Sequence, residues 1–69
     1  MPAVQSTAIL TLDYDPESRT LFVRFLDGDL YAYFDVPGDE YAAFLDAESK
    51  GGFFAERVRD RYAYHLVSL

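Results

Sequence analysis

"LFVRFLDGDLYAYF", Leu21 to Phe34, decides the fold. Two runs rich in aromatic and apolar residues flank Asp27-Gly28, a dipeptide that accepts the positive φ values of a tight hairpin turn. Read as a two-residue turn, it sets Phe25 opposite Leu30, Arg24 opposite Tyr31, Val23 opposite Ala32, Phe22 opposite Tyr33 and Leu21 opposite Phe34. Side chains alternate across a strand. This register therefore puts Leu21, Val23, Phe25, Leu30, Ala32 and Phe34 on one face, the expected core face. Phe22, Arg24, Leu26, Asp29, Tyr31 and Tyr33 form the other. A slip of one residue would scramble both.

Upstream, "STAILTLDYD" alternates Ala8, Leu10, Leu12 and Tyr14 with Ile9, Thr11 and Asp13, and reads as another strand. Asp15-Pro16-Glu17-Ser18 supplies a turn, with Pro16 suited to its first central position. Downstream of "DVP" the period changes. Tyr41, Phe44, Leu45 and Glu48 follow helical spacing, and Asp39 and Glu40 suit the positive end of a helix dipole. A helix is expected from about Gly38 to Ala47, broken by Gly51-Gly52. A second is expected from Ser49 or Gly52 to Asp60, with Phe54 and Val58 one turn apart. "YAYHLVSL" alternates again, as a fourth strand or an extended tail. The expected fold class is α+β: a three-stranded antiparallel meander, two short helices on its apolar face, and a C-terminal segment able to add a strand. Residues 1–69 make one domain.

A 69-residue chain builds a core worth only about 3–5 kcal/mol. It has no cysteine, and six Phe and six Tyr supply large buried area instead. The N-terminus "MPAVQSTAIL" lacks the basic start and long apolar run of a signal peptide. No stretch approaches the roughly 18 apolar residues of a membrane span. A cytoplasmic location without membrane contact is expected. The net charge of −6 is unevenly spread. Residues 1–49 carry two arginines against ten carboxylates, or −8, whereas residues 50–69 carry four bases against two acids, or +2. Overall acidity repels nucleic acid; the local basic segment works the other way.

The pieces "YDPESRTLFVRF", "YAYFDVP", "SKGGFF" and "RVRDRYAY" occur in this order from about Ser6 to His65. As a set they resemble the KTSC domain, whose name abbreviates lysyl-tRNA synthetase C-terminal. That domain ends some bacterial lysyl-tRNA synthetases and also stands alone in small proteins. The synthetase context implies association with RNA or tRNA. No synthetase catalytic domain fits in this length.

Two features carry that expectation. Tyr31 and Tyr33, opposite Arg24 and Phe22, offer rings on which unpaired bases stack; the structural alternative is that aromatics favour strands and pair across them. Lys50, Arg57 and Arg61 fall within about 40° of arc on a continuous helix, a stripe suited to phosphates. Its alternative is a solvated helix face, with Glu56 paired to Arg59 or Asp60 to Arg57, and Ser49 serving as an N-cap. The candidate nucleic-acid-binding residues are thus Arg24, Tyr31, Tyr33, Lys50, Arg57 and Arg61. "SKGG" lacks P-loop spacing, Asp13, Asp15 and Glu17 lack the ligand pattern of a calcium loop, and the lone His65 has no metal-binding or triad partner. No catalytic residue, metal or cofactor is expected. The sequence supports a non-catalytic binding module for RNA. The alternative is a protein-interaction module that uses the acidic surface for a basic partner, mimics nucleic acid, or associates with itself.

Overall fold

The turn after Phe25 is one residue longer than the two-residue reading. In the computed structural model, which describes residues 9–67, the Gly28 N–H donates to the Phe25 carbonyl at 2.9 Å and the Phe25 N–H to the Asp29 carbonyl at 2.9 Å. Leu26, Asp27 and Gly28 form the loop. Gly28 takes φ 101°, the left-handed position that closes a bulged three-residue turn and that glycine adopts without steric cost. Every cross-strand pair moves by one. Leu21 lies opposite Tyr33, Phe22 opposite Ala32, Val23 opposite Tyr31 and Arg24 opposite Leu30. Because strand side chains have a period of two, the shift turns the second strand over. Tyr31 and Tyr33 join Leu21, Val23 and Phe25 on the core face. Leu30 and Ala32 join Phe22 and Arg24 on the opposite one. Phe34, expected in the core, is exposed.

Among the described residues the sheet has four antiparallel strands in sequential order: β1 (Ile9–Asp15), β2 (Thr20–Phe25), β3 (Leu30–Tyr33) and β4 (Tyr64–Leu66). The chain is α+β, and the C-terminal segment does add a strand. Ser6 to Ala8 of the expected first strand, and Ser68 and Leu69 of the tail, lie outside the described residues. Helix α1 (Gly38–Asp46) and helix α2 (Lys50–Phe53) connect β3 to β4, and α2 continues as a π-helical turn, Phe54–Val58. Both helices supply residues that close over the Leu21/Val23 face, as expected. Leu21, Val23, Val36, Phe44 and Val58 are fully buried, and Tyr33 and Phe54 nearly so. Each such apolar side chain contributes about 1.5–3 kcal/mol of transfer free energy. Tyr14 stacks on Tyr41 with ring centroids 4.8 Å apart and donates its hydroxyl to the Val36 carbonyl at 2.6 Å, fastening α1 to β1.

Gly51-Gly52 does not interrupt a helix. Helix α1 ends at Asp46, and both glycines lie inside α2. Ser49 caps α2, its hydroxyl accepting the Gly52 N–H at 3.0 Å, which satisfies one of the donors left unpaired at a helix start. A Cβ on Gly52 would meet that same hydroxyl at 3.0 Å, so the cap explains the glycine. The π-helical turn closes with the Arg59 N–H on the Phe54 carbonyl at 2.8 Å. This five-residue closure breaks the 100° step on which a continuous basic stripe depends.

Candidate functional site

Five aromatic rings meet where β2, β3 and β4 face the π-helical turn. Around the circuit, ring centroids lie 5.6 Å apart for Phe25 and Tyr31, 5.7 Å for Tyr31 and Tyr64, 5.5 Å for Tyr64 and Tyr33, 5.7 Å for Tyr33 and Phe54, and 5.3 Å for Phe54 and Phe25. These separations lie within the range of attractive aromatic pairs. The rings line a cavity of about 460 Å³ whose other walls are Asp27, Asp29, Arg59 and Asp60. It is an open concavity rather than an enclosed pocket, with the buried Tyr33 and Phe54 rings as its floor.

Each wall has a local cause. The bulged turn sends Tyr31 and Tyr33 to the helix side and puts Asp27 and Asp29 at one end of the cavity. The Asp27 carboxylate accepts the Asp29 N–H at 3.0 Å, which fixes the turn. Antiparallel pairing of Tyr33 with Tyr64 sets the β4 tyrosine on the same face. At the other end, π-helical closure brings Arg59 and Asp60 round beside Phe54. Arg59 Nε lies 3.7 Å from the Asp60 carboxylate, with both side chains exposed. Such a pair is worth little, so the rim remains acidic: three carboxylates against one guanidinium. Burial, then the neighbouring Tyr31 and Tyr64 hydroxyls, pushes the Tyr33 phenol from 10.0 to about 12. It is neutral at physiological pH. Aromatic faces carry negative quadrupole density, and acidic groups stand at both ends of the cavity. The arrangement suits an organic cation with an apolar stem.

The residues expected to form a nucleic-acid surface are dispersed. Tyr31 and Tyr33 stay together, but Tyr33 is 3% exposed and Tyr31 is half-buried in the cavity wall. Arg24 lies on the opposite sheet face and donates to the Gly28 carbonyl at 2.9 Å. Lys50 Nζ donates to the Ala47 carbonyl at 2.7 Å. Arg57 sits 3.4 Å from the Glu40 carboxylate and 4.9 Å over the Phe53 ring, so its partner is Glu40 rather than Asp60. Arg61 lies in the turn beyond the π-helical segment. His65 is exposed on β4, opposite Ala32. The cavity residues missed from sequence are Phe25, Asp27, Asp29, Phe54, Arg59, Asp60 and Tyr64. The available signal was Leu26, which the two-residue reading leaves as an apolar side chain on the face opposite the core, right beside the turn.

The KTSC domain pattern matches residues 5–62. The chain belongs to the KTSC domain family. The match takes in Phe25, Tyr31, Tyr33 and Phe54 and ends two residues before Tyr64. A KTSC domain protein from Yersinia pestis has a crystal structure similar to this one, with a TM-score of 0.84 and 33% sequence identity, covering 91% of this chain and 89% of its own. A protein of Stutzerimonas stutzeri is 44% identical over 60 residues, 87% of this KTSC chain and 84% of its own length. One from Tsukamurella paurometabola is 39% identical over 62 residues, 90% and 92% of the two chains. A lysine–tRNA ligase of Nostoc is 33% identical over 55 residues, which is 80% of this chain but 10% of the ligase.

Proposed function

We propose that this KTSC domain is a non-catalytic protein-interaction module that takes a basic side chain of its partner into the acidic-rimmed aromatic cavity. The observation that carries this reading is the closed circuit of five rings beside Asp27, Asp29 and Asp60. Cation–π attraction is worth about 0.5–1 kcal/mol per contact at exposed sites and about 2 where water is displaced. The net charge of −6 steers basic partners toward the molecule and repels nucleic acid.

The test is a fluorescence-anisotropy titration with a blocked hexapeptide of alternating Thr and Lys, and in parallel with single-stranded RNA and tRNA, at about 50 mM and about 200 mM salt. The expected result is saturable, salt-weakened peptide binding that is markedly weaker in the Tyr31→Ala/Tyr64→Ala variant. Saturable RNA binding without peptide binding would overturn it in favour of RNA association, the activity to which the Nostoc ligase relative gives weight.

A further inference from the structure

The two edges of the sheet are built differently. The β1 edge carries Asp13 and Asp15, and its pairing register shifts between Ile9 and Thr11. Charge and irregular register are both devices that keep a sheet edge from pairing with another chain. The β4 edge has neither. Its residues Tyr64, His65 and Leu66 are exposed and carry no Asp, Glu, Lys or Arg, and Tyr64 and Leu66 present 58% and 48% of their surface.

The ladder shows which backbone groups this edge offers. The Phe34 N–H donates to the Ala63 carbonyl at 2.9 Å, and the Val67 N–H to the Leu30 carbonyl at 2.7 Å. Antiparallel bonds recur at every second pair, so the bonded pair between these two is Ala32 with His65. The N–H and C=O groups of Tyr64 and Leu66 therefore point away from β3, toward an edge that no other strand among the described residues covers. Their side chains are on the cavity face. A strand added here would lie about 4.8 Å from β4 and place every second side chain on that face, about 6.8 Å apart. One such side chain would reach Tyr64 and Asp60. The next in the hairpin direction would approach Asp27 and Asp29.

We infer that the β4 edge accepts an extended basic segment of a partner protein as a fifth strand, with alternate Lys or Arg side chains directed into the cavity. This inference rests on the cavity reading above and adds the partner's conformation to it. Charge complementarity selects the occupant. A second copy of this acidic chain, paired edge to edge through β4, would bring two acidic rims together, whereas an alternating basic strand neutralises one.

The experiment uses the same Thr/Lys hexapeptide in three forms: unmodified, N-methylated at the Lys nitrogens, and N-methylated at the Thr nitrogens. Side chains and charge are the same in all three. On a β-strand the two sets of N–H groups point to opposite edges, so only one set faces β4. The expected result is a roughly tenfold or greater loss of affinity for one methylated form and little change for the other, since only one form loses the strand's backbone hydrogen bonds to β4. Equal effects of the two methylations, whether nil or total, would overturn strand addition. If binding then still depended on Tyr64 and Asp60, the cavity reading would stand alone. No binding of any form would overturn both. A dimer in sedimentation that resists the peptide would assign the edge to a second copy and also overturn the inference.

Discussion

The basic residues of the second helix and one member of the acidic rim, Asp60, share one stretch of chain, with Arg57 only three residues from Asp60, yet their charges are employed differently. Lys50 is hydrogen-bonded to Ala47, and Arg57 is held between Glu40 and the Phe53 ring. Both brace α2 against its surroundings. The rim carboxylates outnumber their partner. Asp27 accepts one backbone N–H, and Asp60 has a 3.7 Å contact with an exposed arginine. A charge already satisfied within its own chain has little left for a ligand, because a new contact must first replace the old one. Counting charges in sequence points to the basic segment as the binding surface; following the partners of each charge points to the acidic one.

Removing the rings should break this contrast most strongly. Tyr31→Ala with Tyr64→Ala should weaken the Thr/Lys peptide by about 30-fold, the sum of two cation–π contacts near 1 kcal/mol each, with a thermal melt still showing a folded protein. Next, Arg59→Ala should strengthen peptide binding about threefold in a titration, because it removes the rim's own cation and the competing contact with Asp60. Arg57→Ala should leave peptide affinity unchanged and lower stability in urea by less than about 1 kcal/mol, the scale of a half-exposed ion pair and a surface cation–π contact. A large loss of peptide affinity in Arg57→Ala would erase the distinction between the two regions.

A fourth prediction concerns pH. The Tyr33 phenol keeps its proton up to about 12 in the folded chain and loses it near 10 when unfolded. Between these values the unfolded chain binds fewer protons. The stabilising contribution is complete below pH 10 and is lost as the pH rises toward 12. Tyr33→Phe should flatten this alkaline decline in an unfolding titration.

Much of the architecture is legible in sequence because it rests on local chemistry. The alternation in Leu21 to Phe25, the Ser49 cap and the helical spacing of Tyr41 and Phe44 each name their element. The candidate site was much less legible, and one residue explains most of the difference. Asp27-Gly28 fits a two-residue turn, but the same glycine at φ 101° closes a three-residue turn that includes Leu26. Local turn preference does not separate the two. Burial does, since the longer turn brings Tyr31 and Tyr33 to the face already held by Leu21 and Val23. The π-helical turn was hidden for a related reason. Phe54 and Val58 fit α spacing as well as they fit the observed segment, and both are buried in it. The pairing of β4 with β3 joins residues more than thirty positions apart, and no local pattern places Tyr64 beside Tyr33.

The decisive experiment is a backbone amide chemical-shift titration of the ¹⁵N-labelled protein with butyltrimethylammonium, a cation with an apolar stem and no hydrogen-bond donor. The largest shifts are expected at Tyr31, Tyr33, Tyr64 and Asp60, and they should vanish in the Tyr31→Ala/Tyr64→Ala variant. Shifts centred on the opposite sheet face at Phe22 and Arg24, or none that saturate, would contradict the assignment of the aromatic cavity as the site of recognition.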